Sequence, residues 1–175
     1  LIAKVEARLR EHPEDGKGWD VIAPVYASQG QFAEAAEAYS KALKLLGATP
    51  KRLEGFAVSE TRAANGVVSP MAKKALERAL EIEPKRFEAR MWLALAKEQD
   101  GKTADAVADY RALLAEVPET APVRQALEAR IKGLEKGPAN DATANTADAG
   151  ALSSMKAEER AMVEESTSRS SGRGR

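Results

Sequence analysis

The sequence predicts an all-α fold: a solenoid of about three helical hairpins with flanking helices and a disordered C-terminal tail. Three observations predict it. Small residues recur at regular places in "EQDGKTADAVADYRALLAEVP", from Glu98 to Pro118, where two helices would have to approach closely. A similar order of large, small and aromatic residues returns elsewhere in the chain at a period of roughly 34 residues, as in repeats that bury their apolar faces only on a neighbour. Composition supplies the third observation: with no cysteine, one histidine and 27 basic residues against 27 acidic, shape rather than reactive side chains must carry function.

In chain order, "LIAKVEARLREHP" ends on Pro13 at the place of a closing proline, so residues 1–13 read as a half-repeat whose second helix runs from Leu1 to Glu11. The first full repeat, 16–49, carries Trp19, Ile22, Ala23, Tyr26, Gly30, Ala35, Tyr39, Ala42 and Leu43, with Gly47 where proline is usual. The second, 53–86, is weaker and reads Phe56, Ala63, Ala72, Leu76, Ala79, Leu80 and Pro84. About three residues are inserted before it, around "ATPKRL". Its inner turn, "NGVVSP", sets Gly66 as a stop signal and Ser69 as an N-cap, with Pro70 at the first helical position. The third repeat, 87–120, reads Leu93, Ala94, Gly101, Ala106, Tyr110, Leu113, Leu114 and Pro118, while Arg90 and Lys97 depart from the frame. "APVRQALEARIKGLEK" places Val123, Leu127, Ile131 and Leu134 on one stripe opposite its charges, which suits a capping helix over 121–136. This frame is the tetratricopeptide pattern, and it makes 1–136 one repeat domain. From Gly137 the composition shifts to "GPANDATANTADAG", so 137–175 reads as a flexible tail in which a short helix could form over 152–165.

The formal charge of +0 offers no global attraction to nucleic acid or to an anionic membrane, and neither is expected as a partner. Without cysteine, disulfides, thiolate zinc sites and a cysteine nucleophile are excluded. His12, beside Pro13 at a helix end, reads as solvated rather than as a metal ligand or catalytic base. No catalytic residue, metal or cofactor is expected. No apolar run approaches the roughly 18 to 20 residues that cross a bilayer. The first residue is leucine rather than methionine, so the expectation is that the true start is missing or processed, and that a targeting or anchor segment could have preceded Leu1.

In a stack of hairpins the first helix of each repeat lines the concave face. The residues turned that way are Lys17, Asp20, Val21, Pro24, Ala27 and Ser28 in the first repeat. In the second they are Glu54, Ala57, Val58, Thr61, Ala64 and Asn65, and in the third Glu88, Met91, Trp92, Leu95, Glu98 and Gln99. A clamp for a C-terminal carboxylate would need Lys, Asn and Arg at positions 5, 6 and 9 of the repeats, and those places hold Asp20, Val21, Pro24, Ala57, Val58, Thr61, Met91, Trp92 and Leu95 instead. What remains is an apolar strip with a polar rim, a usual mark of a binding surface and a seat for an amphipathic helix. The candidate peptide-binding residues are Val21, Pro24, Val58, Thr61, Asn65, Met91, Trp92, Leu95, Glu98 and Gln99. Trp92 has two readings: it contacts a ligand, or it packs into the slot left by Arg90 or beneath a terminal helix folded back from Pro122. Trp19, Tyr26, Tyr39 and Tyr110 are assigned to the core.

Several stretches are more specific than the repeat frame, among them "NGVVSPMAKKALERALEIEP", "RFEARMWLALAKEQDGKTADAVADYRALLAEVP" and the "IAPVY" that ends at Tyr26. Together they resemble the periplasmic repeat region of the CcmI/CycH family of cytochrome c-type biogenesis proteins, over roughly Leu1 to Lys136. The resemblance implies a non-enzymatic chaperone without a cofactor, on the periplasmic side of the bacterial inner membrane. It implies that the repeats hold the C-terminal helix of an apocytochrome c for the components of a haem lyase complex. Membrane contact would come only through the missing N-terminal anchor. The alternative reading from the residues is a repeat scaffold that mediates protein–protein contact or self-association.

Overall fold

The computed structural model describes residues 2–137, which form eight α-helices and, among the described residues, no strand. In order these are α1 (Ile2–Glu11), α2 (Gly16–Ser28), α3 (Phe32–Leu46), α4 (Pro50–Ala63), α5 (Pro70–Ile82), α6 (Phe87–Gln99), α7 (Thr103–Glu116) and α8 (Pro122–Lys136). Residues through Ile131 form one compact unit, and the end of α8 from Lys132, with Gly137, falls outside it. The expected tail helix at 152–165 lies outside the described residues.

Three hairpins, α2 with α3, α4 with α5 and α6 with α7, make up a tetratricopeptide solenoid. Each first helix also packs on the second helix of the hairpin before it, and α4 touches both α2 and α6, so the first helices stand in a row. The alanines explain how close this packing is. Ala23, Ala38, Ala42, Ala57, Ala72, Ala79, Ala89, Ala94 and Ala106 are all fully buried. A methyl group at each crossing lets two helix backbones approach where a larger side chain would hold them apart. Tyr39 and Tyr110 are buried as the pattern predicts. Trp19 and Tyr26 are half-buried against the cluster around Leu9 and Ile22. Tyr26 donates to Glu6 at 2.8 Å, and Lys41 Nζ lies 3.9 Å from the centre of the Trp19 ring.

Helix starts follow local chemistry. Asp15 accepts a hydrogen bond from Gly18 N at 3.0 Å and so satisfies an orphan donor at the start of α2. The residues inserted before the second repeat become the first turn of α4, which begins at Pro50 behind the Thr49 N-cap. Ser69 caps α5 by accepting from Ala72 N at 3.1 Å, with Pro70 at the first position. The turn before it needs two residues in the left-handed region, Asn65 at φ 53° and Gly66 at φ 90°, a conformation that glycine and asparagine adopt most readily.

Between hairpins, three carboxylates meet an arginine 32 residues further along the chain: Asp20 with Arg52, Glu54 with Arg86, and Glu98 with Arg130. Each pair joins one first helix to the start of, or a position within, the element that would follow it in the row.

Candidate peptide-binding groove

The predicted strip does not run unbroken along the row of first helices. Val21 stands 63% exposed, and Pro24, inside α2, is exposed as well. Val58 is half-buried and lines a cleft of about 360 Å³ whose other walls include Tyr39, Gly55, Glu54, Arg86 and Glu88. That cleft mixes carbon walls with charged groups, Lys51, Glu54, Arg86 and Glu88. Glu54 is 5% exposed there, bonded to Arg86, and burial pushes its carboxyl above the ordinary glutamate range while Arg86 pulls it back. Thr61 is 1% exposed and its Oγ1 has no hydrogen-bond partner, so it belongs to the interior. Asn65 is exposed in the left-handed turn.

In the third hairpin the predicted residues do converge. Met91, Trp92 and Leu95 of α6 line a cleft of about 220 Å³ with Tyr110 of α7 and with Val123, Ala126, Leu127 and Arg130 of α8. The walls are mostly carbon, and the cleft opens to solvent. Trp92 combines its two readings. Its ring packs against the core cluster that holds Leu53, Ala57 and Leu76, and it also forms part of the cleft wall. Its Nε1 is buried with no hydrogen-bond partner, a cost that native interiors seldom carry.

Glu98 forms the polar edge. It accepts from Arg130 Nε at 2.7 Å and Nη2 at 3.0 Å, and from the Tyr110 hydroxyl at 3.2 Å. The Arg130 guanidinium lies 5.8 Å from the centre of the Tyr110 ring. Burial raises the Tyr110 pKa to about 12, which keeps the hydroxyl a donor. Gln99 turns elsewhere. Its Oε1 accepts from Val68 N at 2.9 Å and its Nε2 donates to Gly66 O at 2.7 Å, so the side chain pins the α4–α5 turn. Gln99, named among the candidate peptide-binding residues, is thus engaged by main-chain groups of that turn.

The candidate list lacked Tyr110, Val123, Ala126, Leu127 and Arg130. Val123 and Leu127 stood on the apolar stripe of the terminal helix and Tyr110 was assigned to the core, while Ala126 and Arg130 carried no signal of their own. Among the described residues no group of three His, Asp or Glu side chains could hold a metal ion, and no helix is long and apolar enough to cross a membrane.

The family described as "Cytochrome c-type biogenesis protein H TPR domain" matches residues 3–124. Among curated proteins, the cytochrome c-type biogenesis protein CycH of Rhizobium meliloti is 40% identical over 139 residues, covering 79% of this chain and 36% of the relative. CycH of Bradyrhizobium diazoefficiens is 38% identical over 131 residues, covering 75% and 36%, and CycH of Pseudomonas aeruginosa is 26% identical over 161 residues, covering 89% and 40%. The chain thus spans well under half the length of the relatives it matches. Among solved structures, the Arabidopsis OM64 TPR domain superposes with a TM-score of 0.57 at 21% identity, over 69% of this chain and 96% of that one. Yeast Tom70 superposes with a TM-score of 0.60 at 18% identity, over 82% and 31%. At these identities the two structures speak for the fold alone.

Proposed function

Because the chain belongs to the family of the cytochrome c-type biogenesis protein H TPR domain, we propose that it serves cytochrome c maturation as a non-enzymatic peptide-binding chaperone. In this reading it holds the C-terminal helix of an apocytochrome c for the haem lyase components, on the periplasmic side of the bacterial inner membrane. The observation that carries the reading is the cleft of Met91, Trp92 and Leu95, carbon-walled and open to solvent on the third hairpin. An amphipathic helix seats its apolar face in such a groove by burying carbon surface on both partners. The positions of a carboxylate clamp hold Asp20, Val21, Pro24, Ala57, Val58, Thr61, Met91, Trp92 and Leu95. Recognition of a helix face suits that set better than recognition of a chain end. The charged groups at the edge, Glu98 and Arg130, neutralise each other, and the mechanism asks for no proton or electron transfer from them.

Calorimetric titration with a synthetic C-terminal helix of a bacterial c-type cytochrome, beside a scrambled peptide of the same composition, tests the reading. Selective binding with a negative heat-capacity change is expected, the mark of apolar burial. Leu95→Ala should weaken that binding about tenfold, the loss typical of a well-seated apolar contact. Equal binding of both peptides, or of neither, overturns the reading.

A further inference from the structure

We propose that α8 is a stand-in for the ligand helix: the cleft against α6 takes a helix with apolar side chains at i, i+3 and i+4 and a basic one at i+7, and α8 gives way when that helix binds. The proposal rests on the groove reading above and specifies the chemistry of the partner. Three observations support it.

The side chains that α8 presents to the cleft are Val123, Ala126, Leu127 and Arg130. They are spaced i, i+3, i+4 and i+7, one face of a helix. The chain thus already shows which helical pattern the cleft accepts.

The seat is also loose. About 220 Å³ stays open between α6 and α8. Leu127 and Ile131 are buried, while Val123, Ala126 and Arg130 border the open cleft, so only part of the α8 face is sealed against its neighbours.

The third observation is the latch. Arg130 has a side chain 44% exposed, so its fork on Glu98 is partly screened by water and can open without exposing a buried charge. When Arg130 departs, the carboxylate of Glu98 keeps only the Tyr110 hydroxyl among the contacts described here, and a lysine or arginine at the same helical position on an incoming helix restores what was lost. A ligand competing with α8 binds with its intrinsic affinity reduced by the fraction of chains in which the cleft is vacant, so loosening α8 must tighten binding.

Hydrogen exchange and titration on the full chain, wild type and Arg130→Ala, test this with two probes: the cytochrome C-terminal helix and a peptide of residues 121–136 added in trans. In the free chain α8 should exchange faster than α6 and α7, and faster again in Arg130→Ala. Both peptides should bind Arg130→Ala about two- to fivefold tighter than wild type, with α8 less protected in the complex. Binding of the cytochrome peptide with α8 more protected would overturn the stand-in and make α8 a wall of the groove, with the chaperone reading intact. Binding of the 121–136 peptide alone would uphold the stand-in and sink the cytochrome reading. Failure of the 121–136 peptide to bind, or α8 as protected as α6 in the free chain, would overturn the proposal whatever the cytochrome peptide does.

Discussion

Arg52 of α4 grips Asp20 of α2 through two hydrogen bonds, Nε to Oδ1 at 2.8 Å and Nη2 to Oδ2 at 3.0 Å, and a third runs from its Nη1 to Gly47 O at 3.1 Å. One guanidinium thus ties the first hairpin, the second hairpin and the linker between them. Arg52→Ala should lower stability by about 1–2 kcal/mol, more than an exposed pair contributes, because the fork is bidentate and half-buried. Arg52→Lys should recover less than half of the loss, since an ammonium cannot reproduce the planar fork. Urea unfolding of the two variants checks both statements, and equal stability of lysine and arginine would contradict them.

Gly55 faces the ring of Tyr39, and a Cβ at that position would overlap the ring carbons. Glycine inside a helix ordinarily costs stability relative to alanine. Here Gly55→Ala should instead destabilise by about 1–3 kcal/mol, because the added methyl must push Tyr39 out of its packing. Thermal melts of Gly55→Ala and of Gly55→Ala combined with Tyr39→Leu separate the terms, and the smaller side chain should restore part of the loss.

Gln99 holds the turn between α4 and α5 by one accepted and one donated main-chain hydrogen bond. Gln99→Ala should cost about 1 kcal/mol and speed amide exchange at Val68 while leaving α8 unchanged. Exchange measured residue by residue by NMR decides it; a protected Val68 amide in the variant would mean that another group anchors the turn.

Glu54 carries the pH dependence of the second hairpin. Its pKa in the folded chain lies above the ordinary value of 4.5, raised first by burial. The folded state therefore holds a proton at pH values where the unfolded chain has lost it, so its contribution to stability rises as pH falls from neutral through that window. Glu54→Gln should flatten this slope. Unfolding curves at several pH values between neutral and 4.5 give the test, and an unaltered slope in the variant would assign the effect to another carboxylate.

The fold was legible in the sequence because its determinants are local or periodic. The alanine spacing marks helix crossings, and Ser69 followed by Pro70 marks a helix start whatever surrounds it. The groove was legible only in part. Position in a repeat says which face Val21, Val58 and Leu95 occupy, and it is silent on neighbours from other helices. So Val21 stands exposed to solvent, Val58 borders a cleft with charged groups in its wall, and Leu95 meets α8. Gln99 was read as a ligand contact because its partners are main-chain groups of Gly66 and Val68, and backbone amides leave no mark in a sequence. The seat of α8 was legible only as one of two readings of Trp92, beneath a helix folded back from Pro122, because a stripe of Val123, Leu127 and Ile131 predicts burial without direction.

The three carboxylate–arginine ties each span 32 residues and each links only adjacent parts of the row. That spacing bears on how the chain is made. A contact order dominated by neighbours keeps loop-closure entropy small at every step and favours rapid folding. As the polypeptide emerges during synthesis, α2 and α3 can close before α6 exists, and each arginine arrives in time to fasten a hairpin that is already complete.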